Sequence, residues 1–329
     1  MSGMPACSTR VERLVEATPY WLRTAGVPGL QLALIQDART CGVYSFGTTA
    51  PGGGAPVMET TIFKAASLSK QLLLYAALQA VDAGKLDLDR PLAEYLNAPY
   101  DADDPDIARI TARHVLTHTA GWPNWPPDGE RIRRASPLGS CWTYSGQGFL
   151  YLQTALEAIW AEPAADYLER LVLGPLGMPR SSFLWRDEYK ETAVEGYDTH
   201  GDIREVCRWY PTEVDSASSL HTTAYEYARV LEAFLAQDLR ERHPDVYRSH
   251  VALDERLGWG LGWGIADDRI LWQWGYHVAF NAFAALDPDR GLGIVCLTNG
   301  ARGQRINREW VNAWLQTDLP AFYHKTIEL

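Results

Sequence analysis

Segments with the composition of β-strands occur near both ends of this 329-residue chain, with helical periodicity between them. Residues 30–35 and 42–46 read as two strands around a turn at 36–40. Far along the chain, residues 263–265, 270–274, 281–286 and 293–297 read the same way. The turn Asp287-Pro288-Asp289-Arg290-Gly291 predicts a hairpin between the last two. Helices are expected at 66–83 (ended by Gly84), 110–119, 146–160, 164–173 and 223–236. Two more flank the strands: 9–25, with Val11, Leu14, Val15, Tyr20 and Trp21 inward, and 305–316. The pattern predicts an α/β lobe with a central antiparallel sheet, built from residues 1–66 and 222–329. Residues 67–221 would then form a mostly helical insertion. The glycines of the loop at 51–56 do not lie between a strand and a helix, so no phosphate loop is read there.

The chain can bury a large core without metal or disulfides. Its 30 Lys and Arg against 41 Asp and Glu leave a net charge of −11. An acidic surface with no basic run repels phosphate backbones and anionic lipid, which excludes nucleic-acid partners. No apolar stretch is long enough to span a bilayer, and the charged first residues lack the pattern of a secretory signal. The five cysteines (Cys7, Cys41, Cys141, Cys207, Cys296) form no CxxC pair and are expected as reduced thiols filling core space. Both readings predict a cytoplasmic address.

The chemistry concentrates at Phe63-Lys64-Ala65-Ala66-Ser67-Leu68-Ser69-Lys70, ahead of an apolar helix. On a helix, Ser67 and Lys70 share a face and Ser69 does not. A serine hydroxyl needs an adjacent base to become a nucleophile, and a lysine serves only if its surroundings disfavour its charge. In a first helical turn the serine N–H is free to meet an oxyanion, helped by the helix dipole. Taken alone, S-x-x-K also describes a solvated helix start with a capping serine.

The run FKAASLSK resembles the nucleophile motif of the serine β-lactamase and penicillin-binding-protein superfamily, in the branch of class C β-lactamases and family VIII esterases. VPGLQLALI, DLDRPLAEYL, ITARHVLTHTAGW, WTYSGQGFLYLQ, GPLGM, SASSLHTTAYEYARVL, LGWGLGWGI and LDPDRGLGIVCLTNG match that branch in order, from Val27 to Gly300. The resemblance implies the β-lactamase/transpeptidase-like fold and an acyl-enzyme on Ser67. In the second motif, Tyr144-Ser145-Gly146 stands for Tyr-x-Asn; Tyr144 would relay the serine proton, and Gly146 would lack the asparagine's substrate contact. In the third, Gln273-Trp274-Gly275 stands for Lys-Thr-Gly, with Gly275 letting substrate lie against the strand. The backbone N–H groups of Ser67 and Tyr276 would form the oxyanion hole. A shifted register would put His277 in the third-motif role.

Losing the third-motif cation removes a partner for a substrate carboxylate. The expected substrate is therefore a small, uncharged, partly hydrophobic ester or amide. A carboxylesterase is the leading expectation. An acyltransferase, a D-amino-acid amidase or peptidase, a weak β-lactamase, and a degenerate binding homologue are the alternatives. Trp122, Trp125, Trp142, Trp209 and Trp274 fall near the expected cleft and suggest an aromatic surface, with Trp122 and Trp274 taken as substrate contacts. His114 and His118 have i, i+4 spacing but no third ligand, so no metal or other cofactor is expected; the resemblance implies that His118-Thr119-Ala120-Gly121 is a conformational anchor near the site. His221 is expected to cap the next helix or pack beside the pocket. Arg131, Arg133 and Arg134 read as a solvated patch.

Overall fold

The computed structural model describes residues 4–127, 130–203 and 210–325. Its strands are β1 (Gly29–Gln36), β2 (Arg39–Gly47), β3 (Phe63–Lys64), β4 (His221–Thr222), β5 (Val251–Ala252), β6 (Leu257–Trp259), β7 (Gly264–Ala266), β8 (Ile270–His277), β9 (Phe280–Asp287) and β10 (Leu292–Thr298). Eight form one antiparallel sheet in the order β2-β1-β10-β9-β8-β7-β6-β5. The pairing of β1 with β10 joins the two ends of the chain.

Side-chain alternation gives the sheet two apolar faces. Leu30, Leu32, Leu34, Trp272, Phe283, Ile294 and Cys296 pack with helices Met4–Ala25 and Gly303–Leu315. Ala33, Ile35, Leu271, Ala284, Val295 and Leu297 face helices Ser69–Asp82, Gly146–Trp160 and Ala224–Leu235. Covering both faces explains why β1, β9 and β10 are buried along almost their whole length.

Several details differ from the sequence reading. The first helix starts at Met4, and its Tyr20 is exposed rather than inward. Leu14, Thr18, Leu22 and Ala25 make the buried stripe, because Tyr20 stands about 200° around the helix from Thr18. Thr18 tolerates burial by donating to the Leu14 carbonyl (2.6 Å) and accepting from Trp310 Nε1 (3.0 Å). The helix expected at 110–119 is only Ala112–Leu116, with His118 in a left-handed conformation (φ +54°). Cys296 fills core space, whereas Cys41 and Cys141 are exposed. Cys207 and the side chain of Cys7 lie outside the described parts.

Candidate active site

From Thr61 to Leu74 every residue is buried except Ser67. The chain leaves β3, turns through Ala66 at φ +48°, and enters a single 3-10 turn, Ala66–Leu68, before the α-helix begins at Ser69. An alanine at positive φ is strained, and that turn lifts the serine out of an otherwise buried run. Ser69 points away, its hydroxyl donating to the Ala66 carbonyl (2.6 Å) and accepting from Leu220 N–H (3.0 Å).

Lys70 is wholly buried. Its Nζ donates to Ser67 Oγ at 3.0 Å and to the Ala217 carbonyl at 2.9 Å. The same nitrogen lies 4.9 Å from the ring centroid of Tyr144 and 5.5 Å from that of Phe149.

Tyr144 is held by the helix start beside it. Ser145 caps helix Gly146–Trp160, accepting from Gly148 N–H (2.9 Å) and donating to the Pro123 carbonyl (2.9 Å). The Ser145 N–H donates to His118 Nδ1 at 3.1 Å, and the His118 ring packs on Tyr144 at 4.4 Å, tilted by 39°. An accepting Nδ1 places the proton of neutral His118 on Nε2. From the sheet, Gln273 Nε2 donates to Tyr144 Oη (3.2 Å) and to the Ser67 carbonyl (3.3 Å). Gln273 therefore connects the second-motif tyrosine to the serine turn, while His277 lies toward Lys64 and His221. Beyond Trp272, β7 has ended. The stretch 273–277, with Tyr276, runs past the end of β7 and pairs with β9.

Some expected substrate contacts are not there. Trp122 is fully buried, its indole N–H donating to Asp104 (2.5 Å). Arg134 clamps the same carboxylate at 2.6 Å, so it belongs to a buried ion pair and not to a solvated patch. Arg131 and Arg133 are solvent-exposed. Trp274 is buried behind Tyr144 with ring centroids 4.8 Å apart, and Trp142 packs on Tyr144 and Trp259. These rings back the tyrosine rather than form an aromatic floor. Gly146 is buried too: its N–H donates to Asn124 Oδ1 (2.8 Å), and a Cβ there would lie 2.6 Å from the ring of exposed Trp125. Trp125 and Asn124 thus occupy the space around the missing asparagine. A Cβ on Gly275 would lie 2.3 Å from the Ala65 carbonyl, so close packing against the serine turn already requires glycine here. Trp209 lies outside the described residues. His114 closes a capping box with Thr111. Thr223, not His221, caps the next helix; His221 packs beside a cavity. Among the described residues no group of three His, Cys, Asp or Glu could hold a metal ion, and no helix is long and apolar enough to cross a membrane.

The profile of the Beta-lactamase family matches residues 10–317. The chain belongs to the beta-lactamase family. Among its relatives, Esterase EstB of Burkholderia gladioli is 27% identical over 317 residues, covering 75% of this chain and 80% of that protein. A D-alanyl-D-alanine-carboxypeptidase/endopeptidase, AmpH of Escherichia coli, is 27% identical over 312 residues, covering 82% of this chain and 78% of that one. A class C beta-lactamase mutant superposes with a TM-score of 0.81 at 18% identity, covering 95% of this chain and 99% of its own. The octameric penicillin-binding protein homologue from Pyrococcus abyssi gives 0.80 at 20% identity, covering 95% of this chain and 80% of its own. These likenesses establish the β-lactamase/transpeptidase fold.

Among the histidines of this beta-lactamase-family chain that burial holds below the ordinary imidazole value, His118, His221 and His277 lie nearest the serine turn and the β3–β4 ladder. Burial, then the charge of Lys70, holds His118 well below the ordinary imidazole value. Burial, then Lys64, pushes His221 down to about 3 and His277 to about 4. In the unfolded chain each takes its proton near pH 6.5, so below that pH the unfolded state binds protons the native state refuses. Stability therefore falls as pH drops from 6.5 toward the folded values. At pH 5 His221 and His277 each cost about 2 kcal/mol relative to pH 7.5, and His118 acts in the same direction. Urea midpoints should fall accordingly between pH 7.5 and 5.0; a flat profile refutes the assignment.

Proposed function

We propose that the chain is a serine hydrolase that forms an acyl-enzyme on Ser67 and acts on small, uncharged, partly hydrophobic esters. The observation that carries this reading is the 3.0 Å contact from buried Lys70 Nζ to the one surface-reaching residue of its run. Ser67 Oγ attacks the ester carbonyl and its proton passes to Lys70, with Tyr144 delivering a proton to the departing alkoxide. The N–H groups of Ser67 and Tyr276 hold the tetrahedral oxyanion. Water then releases the acid by the reverse proton path.

Substrate charge follows from Gln273. Its amide reaches Tyr144 and the serine turn but brings no cation. A charge-assisted bond to a substrate carboxylate contributes ~1.5–3 kcal/mol, roughly 10- to 100-fold in kcat/KM. Neutral esters are therefore favoured over β-lactams and carboxylate-ended peptides. The naming of one relative as an esterase agrees.

The test combines a fluorophosphonate probe with a substrate panel. The probe should leave one adduct, on Ser67, and p-nitrophenyl esters should turn over faster than nitrocefin. An adduct on another residue, or preference for the β-lactam, overturns the reading. Gln273→Lys should move the ratio toward nitrocefin by about tenfold or more; an unchanged ratio removes Gln273 from the account of charge selection.

A further inference from the structure

The carbonyl that holds Lys70 belongs to a short loop, 214–219, and one side chain organises that loop. Lys70 Nζ donates to the Ala217 carbonyl at 2.9 Å and lies 3.0 Å from Ser67 Oγ. A neutral amine has two N–H bonds and one lone pair, and the lone pair must face the Ser67 hydroxyl for a proton to cross. With one N–H committed to the carbonyl, the position of that carbonyl decides where the lone pair points. Lys70 and Ala217 are both wholly buried, so bulk water cannot stand in for it.

Asp215 fixes the carbonyl from both sides. Its Oδ1 accepts from the Ala217 N–H (2.8 Å), an Asx turn, and its Oδ2 accepts from the Ser218 hydroxyl (2.6 Å). Its own carbonyl accepts from the N–H groups of Ser218 (3.1 Å) and Ser219 (2.9 Å), and its N–H donates to Ser219 Oγ (3.1 Å). The Ser218 N–H and the Ala217 C=O belong to one trans peptide plane, in which they point opposite ways. Drawing that N–H toward Asp215 therefore turns the carbonyl away from Asp215, and Lys70 meets it there. Among the described residues, both hydrogen-bond partners of the carboxylate lie in its own loop.

The loop is tied in turn to the helix that starts beside Tyr144. From helix Gly146–Trp160, Gln153 Oε1 accepts from the Ser216 N–H (3.0 Å) and Nε2 donates to the Val214 carbonyl (3.2 Å). One amide thus grips the peptides on either side of Asp215, and the loop that holds the lysine is anchored to the element that holds the tyrosine. We propose that Asp215 is a positioning residue for the acyl transfer: by holding the Ala217 carbonyl, it aims the Lys70 lone pair at Ser67 Oγ. The inference rests on Lys70 acting as the base for Ser67.

Shape and charge at Asp215 are separable by substitution. Asparagine keeps Oδ1 for the Ala217 N–H, and its Nδ2 can donate to Ser218 Oγ, so Asp215→Asn should keep kcat within about threefold of the wild type. Asp215→Glu keeps the charge without the Asx turn, and Asp215→Ala keeps neither. In both, kcat on a neutral p-nitrophenyl ester should fall roughly 10- to 100-fold with KM little changed. An active glutamate variant beside an impaired asparagine variant would mean that charge matters and geometry does not, which overturns the proposal. That comparison stands even if the alanine variant does not fold.

The loss must also pass through Lys70. In the Lys70→Met background, Asp215→Ala should cost less than about twofold more. A further loss as large as in the wild type means damage to the fold, and overturns the proposal. Ser67→Ala separates this inference from the proposed function. Ester turnover that survives in Ser67→Ala, with the Asp215 and Lys70 losses still non-additive, sinks the nucleophile and upholds the hold of Asp215 on Lys70. An inactive Ser67→Ala with additive Asp215 and Lys70 losses sinks the positioning role alone.

Discussion

Lys70→Met is expected to yield a folded protein whose ester turnover falls by roughly 10³-fold or more, close to the loss in Ser67→Ala. Among the described residues, the hydrogen-bond partners of Lys70 Nζ are Ser67 Oγ and the Ala217 carbonyl. Methionine keeps the apolar body of the lysine stem, so the buried packing is largely retained while Nζ is lost, and with it the contacts over Tyr144 and Phe149 and the proton acceptor. General acid–base catalysis by a positioned side chain typically contributes 10²- to 10⁴-fold, and serine and base act as one unit, so the double variant should lose little more than either single one. Lys70→Arg should not rescue, because guanidinium stays protonated at any working pH. Steady-state rates on a neutral p-nitrophenyl ester, with intact mass after a rapid quench, measure both acylation and turnover. A loss below tenfold in Lys70→Met would remove lysine from the proton path.

The architecture was legible because burial on both faces of a sheet writes itself as apolar strands, as in Leu30–Ile35 against Ile294–Leu297. Ser67, Lys70, Tyr144 and Gln273 were legible because their motifs are local and in order, and the fold brings them together. What could not be read depends on contacts far apart in sequence. Trp122 is buried because Asp104 and Arg134 close over it, from 18 and 12 positions away. The second acceptor for Lys70 is a main-chain carbonyl 147 residues on, which leaves no side-chain signature. The two-residue strands β3 and β4 are too short to show a period, yet they carry Lys64 and His221 to the edge of the cavity. Asn124 escaped notice because its role, holding the Gly146 N–H, exists only once the loop has folded over the helix start. Nor did the identity of Gly275 reveal why it is glycine; packing supplies the reason.

Packing makes Gly275→Ala the more severe of two glycine substitutions at this site. The added methyl would meet the Ala65 carbonyl oxygen at 2.3 Å and the Ala282 Cβ at 3.2 Å. The first is backbone, held by Leu68 N–H donating to that same carbonyl (3.1 Å), and the second belongs to the paired strand β9. Neither can swing aside, so either β8 or the turn Ala65-Ala66-Ser67 must shift. Overpacking of this kind costs about 1–3 kcal/mol, and a displacement of about 1 Å at a nucleophile costs roughly 100-fold in rate. Gly275→Ala is thus expected to lower both the urea midpoint and kcat, by about that much. Gly146→Ala would meet the Trp125 ring at 2.6 Å, but that side chain is 42% exposed and can rotate outward, so less than about 1 kcal/mol is expected. The contrast is the measurement: the two alanines add the same atom beside the same tyrosine–serine pair and differ only in whether the obstacle can move. Equal losses in the two variants would mean that the Ala65 turn yields to the added methyl, and that close approach is not what requires glycine on β8.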